Sequence, residues 1–194
     1  MRQRTYQSGE PRQAATVLLA GAIAPYGVVM RLPAILTACI LAAPALAQTR
    51  PHLCQPGEEA VFACATGAKI VSLCASNGLN ETSGHLQYRF GTRKSIELAH
   101  PANISTPPRD AFQSGVTGAT GGGADFVRFS VGETTYTLYS DHYRGRESDG
   151  VVVERGGKRV AVLRCRGVAT DTLKGWGTIY RAGLAEAGPD FQVP

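Results

Sequence analysis

The stretch DFVRFSVGETTYTLYSDHYRGRESDGVVVERGGKRVAVLRC, Asp125–Cys165, decides how this chain folds. It contains four short runs rich in β-branched and aromatic residues: DFVRFSV (125–131), TTYTLYS (134–140), GVVVE (150–154) and RVAVLRC (159–165). Alternation of apolar and polar residues over such lengths is the signature of half-buried strands. Gly132-Glu133 separates the first two runs, and an Arg-Gly-Gly-Lys sequence at 155–158 separates the last two. Both read as tight hairpin turns. Between the second and third runs lies YSDHYRGRESDG, Tyr139–Gly150. Hairpin connections typically take ~2–5 residues, so this segment reads as an unusually long loop bearing aromatic, histidine and charged side chains.

Working outward, EAVFAC (59–64) and KIVSLC (69–74) flank a Thr66-Gly67 turn, followed by LQYRFG (86–91) and SIELA (95–99). About eight strands in chain order predict an all-β protein, an antiparallel sandwich or small barrel. Residues 100–124 are rich in Pro, Ser and Gly and read as one long connection with a helical turn near Arg109–Gln113. Within it, Gly118–Gly123 (GATGGG) lacks the Lys-Ser/Thr and the following helix of a phosphate loop, and reads as a connector. Residues 168–194 read as a C-terminal extension with a short helix around 178–187. It either docks through Trp176, Ile179, Tyr180 and Leu184 or stays loosely held.

The beginning of the chain predicts export. From Met30, the sequence RLPAILTACILAAPALAQTR gives a basic residue, an apolar run and Ala45-Leu46-Ala47, the three parts of a secretory signal peptide. Residues 1–47 are thus an export leader with its core at 30–47, residues 1–29 reading as a misplaced start, and 48–167 are the β domain. The apolar run is shorter than the ~20 residues a spanning helix needs, so no stable membrane span is expected after cleavage. Leu36–Cys39 (LTAC) offers an alternative, a lipoprotein acylated at Cys39. The full chain has 20 basic and 15 acidic residues, net +5; Arg2, Arg4, Arg12, Arg31 and Glu10 lie in the leader, so the rest carries +2. With no Lys/Arg-rich run left, nothing marks a nucleic-acid surface.

Removing Cys39 leaves Cys54, Cys64, Cys74 and Cys165, an even set suited to two disulfides in an exported domain. Their wide spacing does not match the close cysteine pairs of structural zinc. If the first two strands form a hairpin, Cys64 and Cys74 point to opposite faces and do not pair. Two patterns remain: Cys54–Cys74 with Cys64–Cys165, which is favoured, or Cys54–Cys64 with Cys74–Cys165.

Chemistry is sparse. His52, His85, His100 and His142 form no zinc-protease motif, and no metal or cofactor is expected. Asp141-His142, or the carboxylates of Glu147 and Asp149, would be the resource of an envelope hydrolase. Adjacent strand residues point to opposite faces, which opposes the first pairing. What the 140–149 segment does offer is contact chemistry. Tyr143 supplies a large amphipathic ring, and Arg144 and Arg146 supply planar donor forks. The sequence therefore predicts a non-enzymatic periplasmic or secreted protein that binds a macromolecular partner through this segment. A structural envelope domain without an enzyme partner is the alternative.

The segment SDHYRGRESDGVVVER, Ser140–Arg155, resembles the periplasmic inhibitors of invertebrate-type lysozymes, over residues 125–166. In that family a Ser-Gly-x-Tyr loop on a β-sandwich enters the lysozyme cleft, helped by a later arginine. Ser140, Tyr143 and Arg155 occupy the matching positions, while Asp141 replaces the motif glycine. The resemblance implies a lysozyme as partner, its catalytic carboxylates met by hydroxyl and guanidinium donors and a sugar subsite filled by the Tyr143 ring.

Overall fold

The computed structural model describes residues 51–194 apart from 168, 170, 171 and 189. The expected leader, its signal core and Cys39 lie outside the described residues. The protein is all-β, built from two sheets. The first contains β1 (Glu58–Thr66), β2 (Lys69–Ser76), β3 (Leu86–Thr92) and β4 (Ser95–His100), in chain order. After a one-turn helix α1 (Pro108–Ala111) come β5 (Gln113–Ala119), β6 (Gly122–Val131), β7 (Thr134–Tyr143), β8 (Arg146–Arg155) and β9 (Lys158–Arg164). A longer helix α2 (Thr172–Arg181) leads to β10 (Ala185–Glu186), which joins the second sheet beside β5. All strand pairs are antiparallel except β10–β5, which is parallel.

Alternation along the strands sorts side chains between two layers. Val127, Phe129, Leu138 and Val151 of the second sheet join Phe62, Val71, Leu73, Leu86 and Tyr88 of the first in one core. Phe129 stacks on Tyr136 at 5.0 Å and lies 4.8 Å from Tyr88, bringing rings of both sheets together. Burying each such side chain contributes roughly 1.5–3 kcal/mol. Trp176 and Ile179 of α2, with Ala182 directly after it, carry the apolar side of this segment into the same core. The C-terminal segment is therefore docked, and α2 starts and ends about six residues earlier than the expected 178–187.

Two segments expected as loops contain strands instead. Residues 100–124 are not one connection, since β5 runs through Gln113–Ala119 and turns into β6 at Thr120-Gly121. GATGGG is thus a hairpin end. Likewise, Tyr139–Gly150 is not a long loop: β7 and β8 pair without a break through Ser140↔Asp149, Asp141↔Ser148, His142↔Glu147 and Tyr143↔Arg146. Only Arg144-Gly145 remains as the turn. The polar composition reflects a ladder that outruns the apolar core.

On its outer face the second sheet carries a second apolar cluster. Phe126, Tyr139 and Gly150 lie in one cross-strand row that continues to Gly115. A Cβ on Gly115 would sit 2.6 Å from the Phe126 ring, and one on Gly150 would sit 3.0 Å from the Tyr139 hydroxyl. Each ring therefore lies over a neighbouring glycine, an arrangement any side chain there would block. Phe191 closes the row from above, 4.9 Å from Phe126 and 6.0 Å from Tyr139.

The cysteines pair as Cys54–Cys74 and Cys64–Cys165. Cys64 lies opposite Val71 and joins the core, whereas Cys74 lies opposite Ala60 and bonds Cys54 on the outer face of the first sheet. There the segment before β1 crosses the sheet, and Leu53 donates its N–H to Ser72 Oγ. Beneath it Arg89 donates to Glu58 through Nη1 at 2.5 Å and Nη2 at 2.8 Å, to the Leu53 carbonyl, and through Nε to Gln87 Oε1. Burial alone would raise the Glu58 pKa. The Arg89 hydrogen bonds, the Gln55 N–H, His85 and the Arg89 charge outweigh it and hold the carboxyl down at about 2.

Candidate functional site

The β5–β6 and β7–β8 hairpins end side by side. Gly122 pairs with Tyr143, and the Arg144 N–H donates to the Gly121 carbonyl at 3.0 Å, joining one turn to the other. Arg144 (φ 48°) and Gly145 (φ 76°) both take the left-handed conformation, as a two-residue type I′ hairpin demands. Asn or Gly usually fills the first position. Among the described residues Arg144 is the one non-glycine with positive φ, a conformation that costs roughly 1–2 kcal/mol. Its guanidinium lies 5.2 Å from the centroid of the Tyr143 ring, a cation–π contact. Tyr143 is itself 37% exposed and Arg146 is exposed.

Beside this tip is a cleft of about 610 Å³, lined by Thr117, Asp141, Tyr143, Phe191, Val193 and Pro194 and by the β5–β6 backbone. Its wall of C-terminal residues is fixed by arginines of the sheet. Arg128 Nη1 pairs with Asp190 Oδ1 at 3.1 Å, and its hydrogen bond holds the Asp190 carboxyl below its ordinary pKa. Arg159 donates to the Gln192 carbonyl and Arg164 to that of Pro194. Asp141 is half-buried in the cleft, and among the described residues its carboxylate accepts no hydrogen bond and forms no ion pair.

Of the contact residues expected from sequence, Tyr143, Arg144 and Arg146 are brought together at the tip. Ser140 is not at a surface: it is fully buried and donates to Asp149 Oδ1 at 2.6 Å, while Asp149 Oδ2 accepts from the Ala169 N–H at 2.7 Å. Arg155 is at the other end of β8, opposite Thr134. At ~3.3 Å per residue the length of that strand separates it from Tyr143 by about 30 Å. The three positions that carry the likeness to lysozyme inhibitors are thus not presented as one surface. Side-chain alternation separates Asp141 from His142, which faces Glu147 at 3.8 Å. Glu147 and Asp149 share a face, but both oxygens of Asp149 are taken by structural bonds. Among the described residues, the three whose ligand-type atoms cluster, Cys54, Cys74 and Glu58, include two sulfurs bonded to each other, which leaves no thiolate there for zinc.

Thr117, Phe191 and Val193 escaped the sequence reading, since β5 and the C-terminal segment read as connector and tail. The apolar alternation of Phe191 and Val193 was the available signal. Comparisons with protein families, with curated proteins and with solved structures find nothing that matches this chain.

Proposed function

We propose that this protein is an exported binding module, periplasmic or secreted, that engages a macromolecular partner through the paired hairpin tips around Tyr143, Arg144 and Arg146. The observation that carries this reading is Arg144. A strained backbone at an exposed turn, with the side chain stacked on a surface tyrosine beside an open cleft, costs stability and contributes nothing to the core. Strain of this kind concentrates where a chain makes contacts. The two disulfides support a site of action outside the cytosol. No described helix is long and apolar enough to cross a membrane.

Arg144→Gly separates stability from binding. Glycine relaxes the turn, so denaturant unfolding should show a gain of about 1 kcal/mol. The same variant, and Tyr143→Ala, should weaken the complex with the partner. An invertebrate-type lysozyme is the first partner to test. Inhibition by the wild type that is lost in both variants supports an inhibitor. Tip-dependent binding of a different envelope protein keeps the module and removes the lysozyme. If the wild type binds neither at micromolar concentration, or if Arg144→Gly leaves binding intact, the assignment of this tip fails.

A further inference from the structure

We infer that the outer edge of β5 from Gly115 onward is a docking strip, where an extended peptide segment of the partner adds a strand and lays a long basic side chain across the cleft to Asp141. The inference rests on the binding reading above and names how the partner is held.

The edge is available and able to pair. β10 covers only Gln113 and Ser114, and Ala187 adds one more bond, its N–H donating to the Ser114 carbonyl at 2.8 Å. The chain then leaves the edge and crosses the outer face, where Ala187, Phe191 and Val193 pack on Phe126, Tyr139 and Val152. In an antiparallel edge strand, alternate residues turn both their N–H and C=O away from the sheet. Ser114 is one of these, so the next are Val116 and Gly118. Both line the cleft, and Val116 is 60% exposed.

Bare edges invite strand addition, and proteins blunt them with charge or proline. Here β9 carries Lys158, Arg159 and Arg164, β4 carries Glu97, and β1 carries Glu58 and Glu59. Gly115–Ala119 (GVTGA) has no charge and no proline. The protein's own β10 already uses this edge as a strand template.

The occupant's chemistry follows from the cross-strand row Thr117↔Ala124↔Asp141. A side chain from an added strand beside Thr117 would run over Thr117 and the buried Ala124, both small, toward the unpartnered Asp141 carboxylate. Asp141 lies three strand spacings of ~4.8 Å from the added strand, a span that calls for Lys or Arg. Tyr143 and Phe191 flank the path and suit its apolar stem. A second copy of this chain pairing through its own β5 brings no basic residue, since Gln113–Ala119 has none.

The test pans the intact domain against a phage library of random linear peptides and titrates the selected peptides by calorimetry. Enriched peptides should share a Lys or Arg within a β-branched run. Val116→Pro removes an outward donor and leaves the bonds to β6 in place; with Asp141→Asn, it should raise Kd roughly tenfold or more each, ~1.4 kcal/mol. In the wild type, peptide should slow amide exchange at Val116 and Gly118, a readout that does not depend on a variant folding. No enrichment, or peptides indifferent to both substitutions with unchanged exchange, overturns the strip, as does wild-type dimerisation abolished by Val116→Pro. If binding depends on Tyr143 but not on Val116, the tip stands and the strip falls; the converse retains the strip and removes the tip.

Discussion

Replacing Cys64 and Cys165 with alanine should lower the unfolding free energy by about 4.7 kcal/mol, the loop-entropy value for a closed loop of this size. The bridge spans 101 residues and ties β1 of one sheet to the end of β9 in the other. Beside it Arg166 donates its N–H to the Ala65 carbonyl, so the two sheets meet here through backbone as well as sulfur. Cys54–Cys74 spans only 20 residues, and by the same relation its removal should cost less, about 3 kcal/mol. Urea unfolding of the two double-alanine variants measures both. Equal losses, or a larger loss at Cys54–Cys74, would show that constraint of the unfolded chain is not the main contribution of the longer bridge.

Arg89→Ala should be nearly as damaging, costing about 3–5 kcal/mol, because it strands the Glu58 carboxylate in a buried site with its principal cation removed. Both side chains of the pair are only 6% exposed. The pair also dictates an acid response. Glu58 titrates near 2 in the folded protein against an ordinary 4.5, so the unfolded chain binds this proton more readily. Its contribution, about 3 kcal/mol, is complete above pH 4.5 and is lost as pH falls from 4.5 toward 2. Thermal melts across that range should show the decline. In Glu58→Gln the decline should flatten, and a wild-type slope retained in that variant would assign the acid sensitivity to other groups.

Much of this architecture is legible in the sequence because short runs rich in β-branched, aromatic and aliphatic residues, bounded by glycine turns, became β1–β4 and β6–β9. The alternation of side chains along a strand sets Cys64 and Cys74 on opposite faces. The failures share a cause. β5 has two glycines and a single aliphatic side chain other than alanine, Val116, which points to no core. It is held as a strand because Phe126 folds over Gly115, a contact visible only once β6 is alongside. The ends of β7 and β8 look like loop because Ser140 and Asp149 satisfy each other, with the Ala169 amide completing the set from a distant part of the chain. Tyr143, Arg144 and Arg146 were visible as contact chemistry. The cleft beside them was not, since its far wall comes from Phe191 and Val193. Arg155 entered only through the family resemblance, and the continuous β7–β8 ladder holds it at the far end of β8 from Tyr143.

The strand order has a kinetic consequence. In both sheets each strand from β1 to β4 and from β5 to β9 lies beside its neighbour in the chain, joined mostly by very short turns. Such nearest-neighbour pairing keeps the entropy of closing each hairpin small, and folding rates rise as contacts become more local. Only the union of the sheets and the seating of α2 and β10 require remote parts of the chain to meet. Pulsed amide labelling during refolding should therefore protect the β6–β7–β8 ladder before the amide of Ala187. Simultaneous protection would mean that the remote contacts form with the hairpins.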